Sequence, residues 1–351
     1  MSDSTPKVTV GRTVDWGFAA TVGAKLARPG PAATDYTRRQ VIEQLSSAAL
    51  RAEMPVREVT GLNEGGEVAD ARIVDRAEWI GAASKSMRVM TGGSENDDRP
   101  HPITGRITGA QTGAVLAFIS SAILGQYDPF GDNGGELLLV YPNVIAVERQ
   151  LRVPPADFRL WVCLHEVTHR VQFRANPWLS EHMSGALAVL TQETGEDVTE
   201  VIGRLAGFVR DRREGIPAEP NSTGVLGVLR AVQSEPQQQA LDKLLVLGTL
   251  LEGHADHVMD AVGPAVVPSV VTIRRRFNER RSRKQPPLQR LLRALLGVDA
   301  KMEQYTRGKA FVDHVVDRVG MTRFNTIWSG PETLPLPTEI EEPQRWIDRV
   351  L

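Results

Sequence analysis

Two histidines and a glutamate stand close together near the middle of the chain, in a spacing that suits metal chemistry. Residues 165 to 169 read His-Glu-Val-Thr-His, the pattern H-E-x-x-H. Residues four apart on a helix share one face, so His165 and His169 can offer imidazole nitrogens to a single metal ion. Glu166 would lie beside that ion and can take a proton from a metal-bound water. The motif therefore predicts a site for metal-assisted hydrolysis.

A third metal ligand must come from elsewhere, because a catalytic zinc ion takes three protein ligands and leaves one position for water. The best candidate is Glu252, in the segment Leu-Leu-Glu-Gly-His-Ala-Asp-His. On a helix this residue shares a largely apolar face, where a carboxylate needs a charged partner and a metal ion provides one. His254, Asp256 and His257 compete with it for the role.

Two supporting roles are also predicted, one for Asp256 and one for a residue that stabilises the oxyanion. Asp256 lies one helical turn after Glu252, so its carboxylate can accept the N–H of a ligand histidine's far nitrogen and fix the tautomer of that histidine. The oxyanion formed during hydrolysis needs a further donor. Tyr127, His254 and His257 are the candidates for that donor.

Composition narrows the class of protein. The 351 residues carry a net charge of −2, so the overall charge does not favour a nucleic-acid partner. We interpret the basic run 274–284 as a solvated face or a loop between helices. The single cysteine, Cys163, excludes an internal disulfide and is expected to be a small core residue. We see neither a signal-peptide pattern nor an apolar stretch long enough to span a bilayer. We expect a soluble, cytoplasmic protein with no membrane partner.

Helical periodicity dominates the chain, and it predicts the elements that must position the motif. A helix at about 154–176 carries the motif, and a long helix at about 236–262 carries Glu252. The best strand evidence is 136–148, as a hairpin turning at Pro142 or as one strand followed by a second segment. Further helices are expected at about 35–53, 76–90, 103–124, 179–190, 196–213, 288–296 and 303–319. The predicted fold class is mainly α with a small β-sheet or hairpin.

A polar, glycine-rich segment at 92–98 is typical of a loop. It divides an N-terminal helical region, residues 1–100, from a metal-binding region, residues 101–351. We expect the first region to pack on the second, so that the two form one integrated unit.

The same motifs resemble known families. Glu252 and Asp256, placed after H-E-x-x-H, resemble the arrangement of the gluzincins, the thermolysin-like metallopeptidases. The segments that resemble the bacterial zincin-like metallopeptidases, some of them labelled as associated with deazaflavin-cofactor biosynthesis, are 14–16, 74–79, 125–130, 165–173, 251–260 and 301–305. This likeness extends over about 14–319. It implies a zincin-like architecture and a Zn²⁺ cofactor, with His165 and His169 as ligands and Glu166 as base.

Together these observations predict a zinc-dependent hydrolase, most simply a peptidase acting on a peptide or protein substrate. One alternative is a catalytically silent zincin-fold protein that serves as a binding or scaffold protein. Another is a metal-dependent hydrolase of a non-peptide amide. The presence of Glu166 favours an enzyme, because a purely structural metal site needs no general base.

Overall fold

The fold consists of helices around one small sheet. The computed structural model describes residues 14–62, 68–91, 103–131, 134–191, 233–282 and 298–351. These residues are mainly helical and include a three-stranded sheet, which confirms the predicted fold class. The segments predicted at 92–98, 196–213 and 288–296 lie outside the described residues.

The described elements follow one another in this order. The helices are α1 Trp16–Leu26, α2 Asp35–Thr60, α3 Arg76–Met90, α4 Thr104–Ser120, α5 Tyr141–Leu151, α6 Pro155–Ala175, α7 Trp178–Thr191, α8 Glu235–Ala261, α9 Gly263–Val266, α10 Val270–Ser282, α11 Val298–Val319, α12 Met321–Phe324, α13 Pro337–Glu341 and α14 Pro343–Val350. Short 3-10 turns cover Asn325–Trp328 and Pro331–Thr333. The strands are β1 Arg72–Val74, β2 Gly125–Asp128 and β3 Glu136–Val140.

Local sequence signals set several helix ends. Proline in the first turn of α6 needs no hydrogen-bonding N–H there, and α6 begins at Pro155 as predicted. Helix α2 begins after Thr34, whose side chain accepts from a backbone N–H. Its predicted end near residue 53 is wrong, because the helix continues through Pro55 and stops at Gly61, which has the left-handed φ of 64° that glycine tolerates.

The sheet has three strands, and it decides between the two alternatives predicted for residues 136–148. Strand β3 lies at the centre, parallel to β1 and antiparallel to β2. Pro142 does not make a turn between strands, because it occupies the first turn of α5. Asn143 donates from its side chain to the carbonyl oxygens of Ser120 and Ile123, which holds the start of α5 in place. Residues 136–148 are thus one strand followed by a separate, helical segment.

Helix α6 lies inside the molecule, with most of its residues buried. Small residues on one side of α2, Ala48, Ala49 and Ala52, are at most 1% exposed and let α6 approach closely. Strand β2 and helix α8 pack against other sides of α6. Elsewhere α1 and α3 pack with α4, so helices from before and after residue 100 contact one another. In the part of the chain that the structure describes, no helix has both the length and the apolar character needed to cross a membrane.

Helices α8 and α11 cross in direct backbone contact. A Cβ added at Gly253 would lie 2.2 Å from the carbonyl carbon of Gly308, and one added at Gly308 would lie 2.1 Å from the carbonyl oxygen of Thr249. Only glycine fits at such a crossing. The crossing fixes α8 immediately beside Glu252, which follows Leu251 and precedes Gly253.

Candidate metal centre

Helices α6 and α8 bring three potential metal ligands together. The Nε2 atoms of His165 and His169, one turn apart on α6, are 3.3 Å from each other. Across the helix interface, Glu252 places Oε2 at 3.3 Å from His165 Nε2 and Oε1 at 3.8 Å from His169 Nε2. One ligand atom from each residue lies within 4.8 Å of the others. The structure therefore brings together the three residues that the sequence predicts as ligands.

The geometry of this trio fits a zinc ion. Ligand atoms about 2.0–2.2 Å from a tetrahedral ion lie about 3.3–3.6 Å from one another, close to the 3.3 to 3.8 Å observed here. Two imidazoles and one carboxylate form a donor set found in catalytic zinc sites, with the fourth position left for water. The three side chains are 12% to 22% exposed, so a small molecule can reach them.

Glu166 lies beside the trio in a buried position, 7% exposed. Burial raises its pKa to about 7; the positive charge of His165 opposes this increase and the negative charge of Glu252 adds to it. Strand β2 approaches Glu166 closely at Gly125, where an added Cβ would lie 2.6 Å from Glu166 Cγ. A carboxylate with a pKa near neutrality is suited to accept and return a proton.

His165 and Glu252 stabilise each other electrostatically. Burial by itself lowers the pKa of His165, but the hydrogen bond to Glu252 and the negative charges of Glu166, Glu252 and Asp256 raise it to about 9. The partly buried Glu252 carboxylate thus has a cationic partner on α6, as its position on an apolar helix face requires.

Gln172 contacts residues of the site, although no role was predicted for it from the sequence. Its Oε1 lies 2.8 Å from His169 Nδ1, and its Nε2 lies 3.1 Å from the carbonyl oxygen of Leu251 and 2.9 Å from His254 Nδ1. The available signal was position, because Gln172 follows His169 by three residues and so lies on the same helix face. Nothing in the sequence indicated that Leu251 and His254 would lie opposite it.

Asp256 has a different partner from the one expected. Its Oδ1 accepts a charge-assisted hydrogen bond from Arg274 at 2.9 Å. Arg274 also pairs with Asp260 and lies over the ring of Trp161, at 5.3 Å from the ring centroid. Asp256 was predicted to hydrogen-bond to the far nitrogen of a ligand histidine. For His169, the partner of that nitrogen is Gln172 instead. Asp256 acts on His165 through its charge, which helps to raise the pKa of that histidine.

The other residues predicted as ligands or as oxyanion donors, His254, His257 and Tyr127, contact different partners. His254 is fully buried, and burial together with the nearby charges of His257 and His169 lowers its pKa to about 3, so it is neutral. His257 contacts Asp313 at 2.7 Å, and the Tyr127 hydroxyl donates to the carbonyl oxygen of Gly134 at 3.3 Å. Within the described ranges, the cluster that can hold an ion contains neither His254 nor His257. No donor for the oxyanion is identified among them.

Several other notable residues have structural partners. Arg170, directly after the second motif histidine, turns away from the metal ligands and binds Glu53 of α2 at 2.6 Å. In the basic run, Arg276 donates to the carbonyl oxygens of Leu151 and Arg152 at the end of α5. This part of the run is helical and stabilises a helix terminus. Cys163 is buried, and burial raises the pKa of its thiol, as expected for a core residue.

A cavity of about 400 Å³ opens between the β2–β3 pair and the second half of α6, and its lining includes none of His165, Glu166, His169 and Glu252. Tyr127, Leu137 and Phe173 form its apolar wall, and Arg170 and Arg174 line it as well. Phe173, which lines the cavity, lies about 6 Å along α6 from His169 and about 12 Å from His165.

Comparisons with known proteins place the chain in a family. No curated protein matches the chain. A crystal structure described as "a putative hydrolase with a novel fold" from Chloroflexus aurantiacus is similar to it, with a TM-score of 0.64 and 28% sequence identity over 96% of this chain and 98% of the other. The family model of the zincin-like metallopeptidases matches residues 14–347. The chain therefore belongs to the zincin-like metallopeptidase family.

Proposed function

We propose that this protein is a zinc-dependent peptidase in which His165, His169 and Glu252 hold the ion and Glu166 is the general base. One observation carries the proposal: three ligand atoms converge at the mutual distances expected around a zinc ion, and a buried carboxylate of raised pKa lies next to them on the helix that bears the two histidines. A structural zinc site would need the donors but not the base. The family assignment gives independent support for hydrolase chemistry.

The proposed chemistry assigns a simple role to each group. When bound, zinc lowers the pKa of a coordinated water and polarises a carbonyl group. Glu166 would accept the proton of the attacking water on its carboxylate and return it to the leaving amine. Its pKa of about 7 suits both transfers near neutral pH. The burial that raises this pKa also excludes bulk water from the carboxylate.

An extended peptide is the substrate that the surroundings favour. Strand β2 is an edge strand of the described sheet and contacts Glu166 at Gly125. Unpaired main-chain groups of an edge strand can hydrogen-bond to an extended chain. The neighbouring cavity would then accept a substrate side chain against Tyr127 and Phe173.

The base assignment is tested with Glu166→Gln. We expect this variant to bind about one zinc per chain but to lose cleavage of a broad peptide library by at least about 100-fold. Glu181→Gln, an exposed glutamate on α7, is the matched control and should cleave normally. Full activity in metal-loaded Glu166→Gln would rule out Glu166 as the base. Zinc binding by the wild type without any cleavage of the library would instead favour a silent binding protein or a hydrolase of another amide.

The ligand assignment is tested by zinc content, measured by mass spectrometry on purified protein. His165→Ala and Glu252→Ala should each lose the ion, because two remaining ligands bind zinc weakly. If Glu252→Ala retained zinc, the third ligand would have to be sought at Asp256, His254 or His257. A wild type that takes up no zinc even when it is supplied would refute the metal site.

A further inference from the structure

We infer that Gln172 fixes the metal-binding tautomer of His169 and at the same time ties together the two helices that carry the ligands. This positioning role rests on the proposed zinc site. Gln172 is fully buried, at 0% exposure, in the interface between α6 and α8. Its side chain reaches from a ligand histidine on one helix to the backbone of the other.

The hydrogen bonds determine which way the Gln172 amide points. The carbonyl oxygen of Leu251 can only accept, so the side-chain atom 3.1 Å from it must be the amide nitrogen. Oε1 therefore faces His169 Nδ1, at 2.8 Å. Because Oε1 is itself only an acceptor, the proton of His169 must be on Nδ1. His169 Nε2, the atom that faces His165 and Glu252, then keeps its lone pair for an ion.

His254 completes the arrangement. Its Nδ1 lies 2.9 Å from Gln172 Nε2 and accepts the second amide hydrogen. The His254 ring packs between Phe324 and Trp328, and its Nε2 has no hydrogen-bond partner among the described residues. A buried donor without an acceptor loses its hydrogen bond to water without compensation, so an apolar side chain would pack there at lower cost. What histidine adds at this position is the acceptor Nδ1, which holds the amide in one orientation.

The bond to Leu251 also sets the spacing between the helices. Leu251 directly precedes Glu252, so Gln172 joins α6 to α8 next to the third ligand. One buried side chain thus contacts a ligand on α6 and the backbone beside a ligand on α8. Removing it should leave the ligands present but less well oriented, which weakens the affinity for zinc.

The tautomer is tested first on metal-free protein. Long-range ¹H–¹⁵N correlation spectra of the histidine rings, recorded near pH 8, should show His169 with a protonated Nδ1 and a bare Nε2. In Gln172→Leu, a mixture of the two neutral tautomers is expected. A wild-type His169 protonated on Nε2 would overturn the inference. Because this measurement needs no metal, it is decisive even if the proposed zinc site fails.

The affinity for zinc is tested by competition with a chelator. Gln172→Leu should bind zinc about 10- to 100-fold more weakly than the wild type. The control is Thr168→Val, which removes another fully buried polar group on α6; among the described residues, its hydroxyl bonds only to the carbonyl oxygen of Leu164 within its own helix. It should keep wild-type affinity. If Gln172→Leu and the wild type bound zinc with equal affinity, the positioning role of Gln172 would be wrong, whatever the effect of the substitution on thermal stability.

His254 is tested by a conservative pair of variants. Asparagine can place Oδ1 near the position of the histidine Nδ1, whereas leucine offers no acceptor. We expect His254→Asn to keep the Nδ1–H tautomer of His169 and His254→Leu to lose part of it. If both variants left the His169 tautomer unchanged, His254 would have no part in orienting Gln172.

Discussion

At the scale of single residues, the candidate base depends on a neighbour that has no side chain. Gly125 on β2 lies against Glu166 of α6. The strand can approach this helix only because position 125 is glycine. An added Cβ would lie 2.6 Å from Glu166 Cγ and 2.9 Å from Leu139 Cδ2. Because Cγ is in the middle of the side chain, Glu166 cannot avoid the contact by moving its carboxylate end alone.

Gly125→Ala should therefore displace Glu166 without removing any metal ligand. We expect zinc content to stay at the wild-type level while the rate of peptide cleavage falls about 100-fold, the cost of misplacing a catalytic group by about 1 Å. The matched control is Gly81→Ala on α3, where an added Cβ meets nothing within 4 Å. Wild-type cleavage by Gly125→Ala would show that the contact between β2 and Glu166 is not needed.

At the scale of elements, the position of Glu252, the proposed third ligand, depends on how α8 crosses α11. Glycines at 253 and 308 allow the two backbones to touch, and Glu252 is adjacent to that contact. A larger residue at either glycine must push the helices apart, and α8 would then move relative to the histidines on α6. Stability and metal affinity are thus coupled through one helix crossing.

Gly308→Ala tests this coupling. The added Cβ would lie 2.1 Å from the carbonyl oxygen of Thr249, so we expect a loss of about 1–3 kcal/mol in the free energy of unfolding, together with weaker zinc binding. The control is Gly248→Ala on α8, where an added Cβ meets nothing within 4 Å and alanine should stabilise the helix by about 0.5–1 kcal/mol. Urea denaturation and chelator competition measure the two effects. A stabilised Gly308→Ala variant would be incompatible with the described crossing.

At the scale of the whole molecule, the C-terminal segment closes over α8 and α11. Phe324 and Trp328 pack on the buried His254, and Trp346 packs on Phe311 of α11. Arg349 holds the end of the chain: it pairs with Glu339 and donates to the carbonyl oxygens of Glu332 and Leu334. The chain end thereby covers the side of α8 that bears His254.

Glu339→Gln should loosen this closure in a pH-dependent way. Burial raises the pKa of Glu339, but hydrogen bonds from Arg349 and from the backbone N–H of Leu336 outweigh burial and hold the pKa below its ordinary value. The stabilisation is therefore fully present above the pKa of the unfolded chain, about 4.3, and is lost as the pH falls through the lower folded value. At pH 7 we expect the variant to be about 1–3 kcal/mol less stable than the wild type.

Denaturant titrations at pH 7 and at about pH 4 and below measure this effect, and the difference between the two proteins should shrink as the pH falls. Glu342→Gln removes an exposed ion pair with Arg345 and should change stability by less than about 1 kcal/mol. A deficit of Glu339→Gln that stayed constant down to low pH would argue against the ionised carboxylate as its source.

Local patterns in the sequence were sufficient for the features that depend on neighbouring residues. The spacing of His165, Glu166 and His169 makes them share a helix face, and prolines at the start of α6 begin that helix where predicted. The helix predicted at 76–90 has those bounds in the structure, where Asp75 and Glu78 form a capping box at its start. The family resemblance was likewise present in short motifs and is confirmed by the match over residues 14–347.

Tertiary structure decided everything that depends on segments distant in sequence. Whether Pro142 makes a turn or begins a helix depends on the carbonyl groups that Asn143 meets, and these belong to the end of α4 and the residues after it. The partner of Asp256 is Arg274 because α10 folds back on α8, and Gln172 contacts His169 and Leu251 only because α6 and α8 cross there. Helical periodicity fixes which face a side chain occupies, whereas the partner on that face is set by packing between helices, which no local spacing encodes.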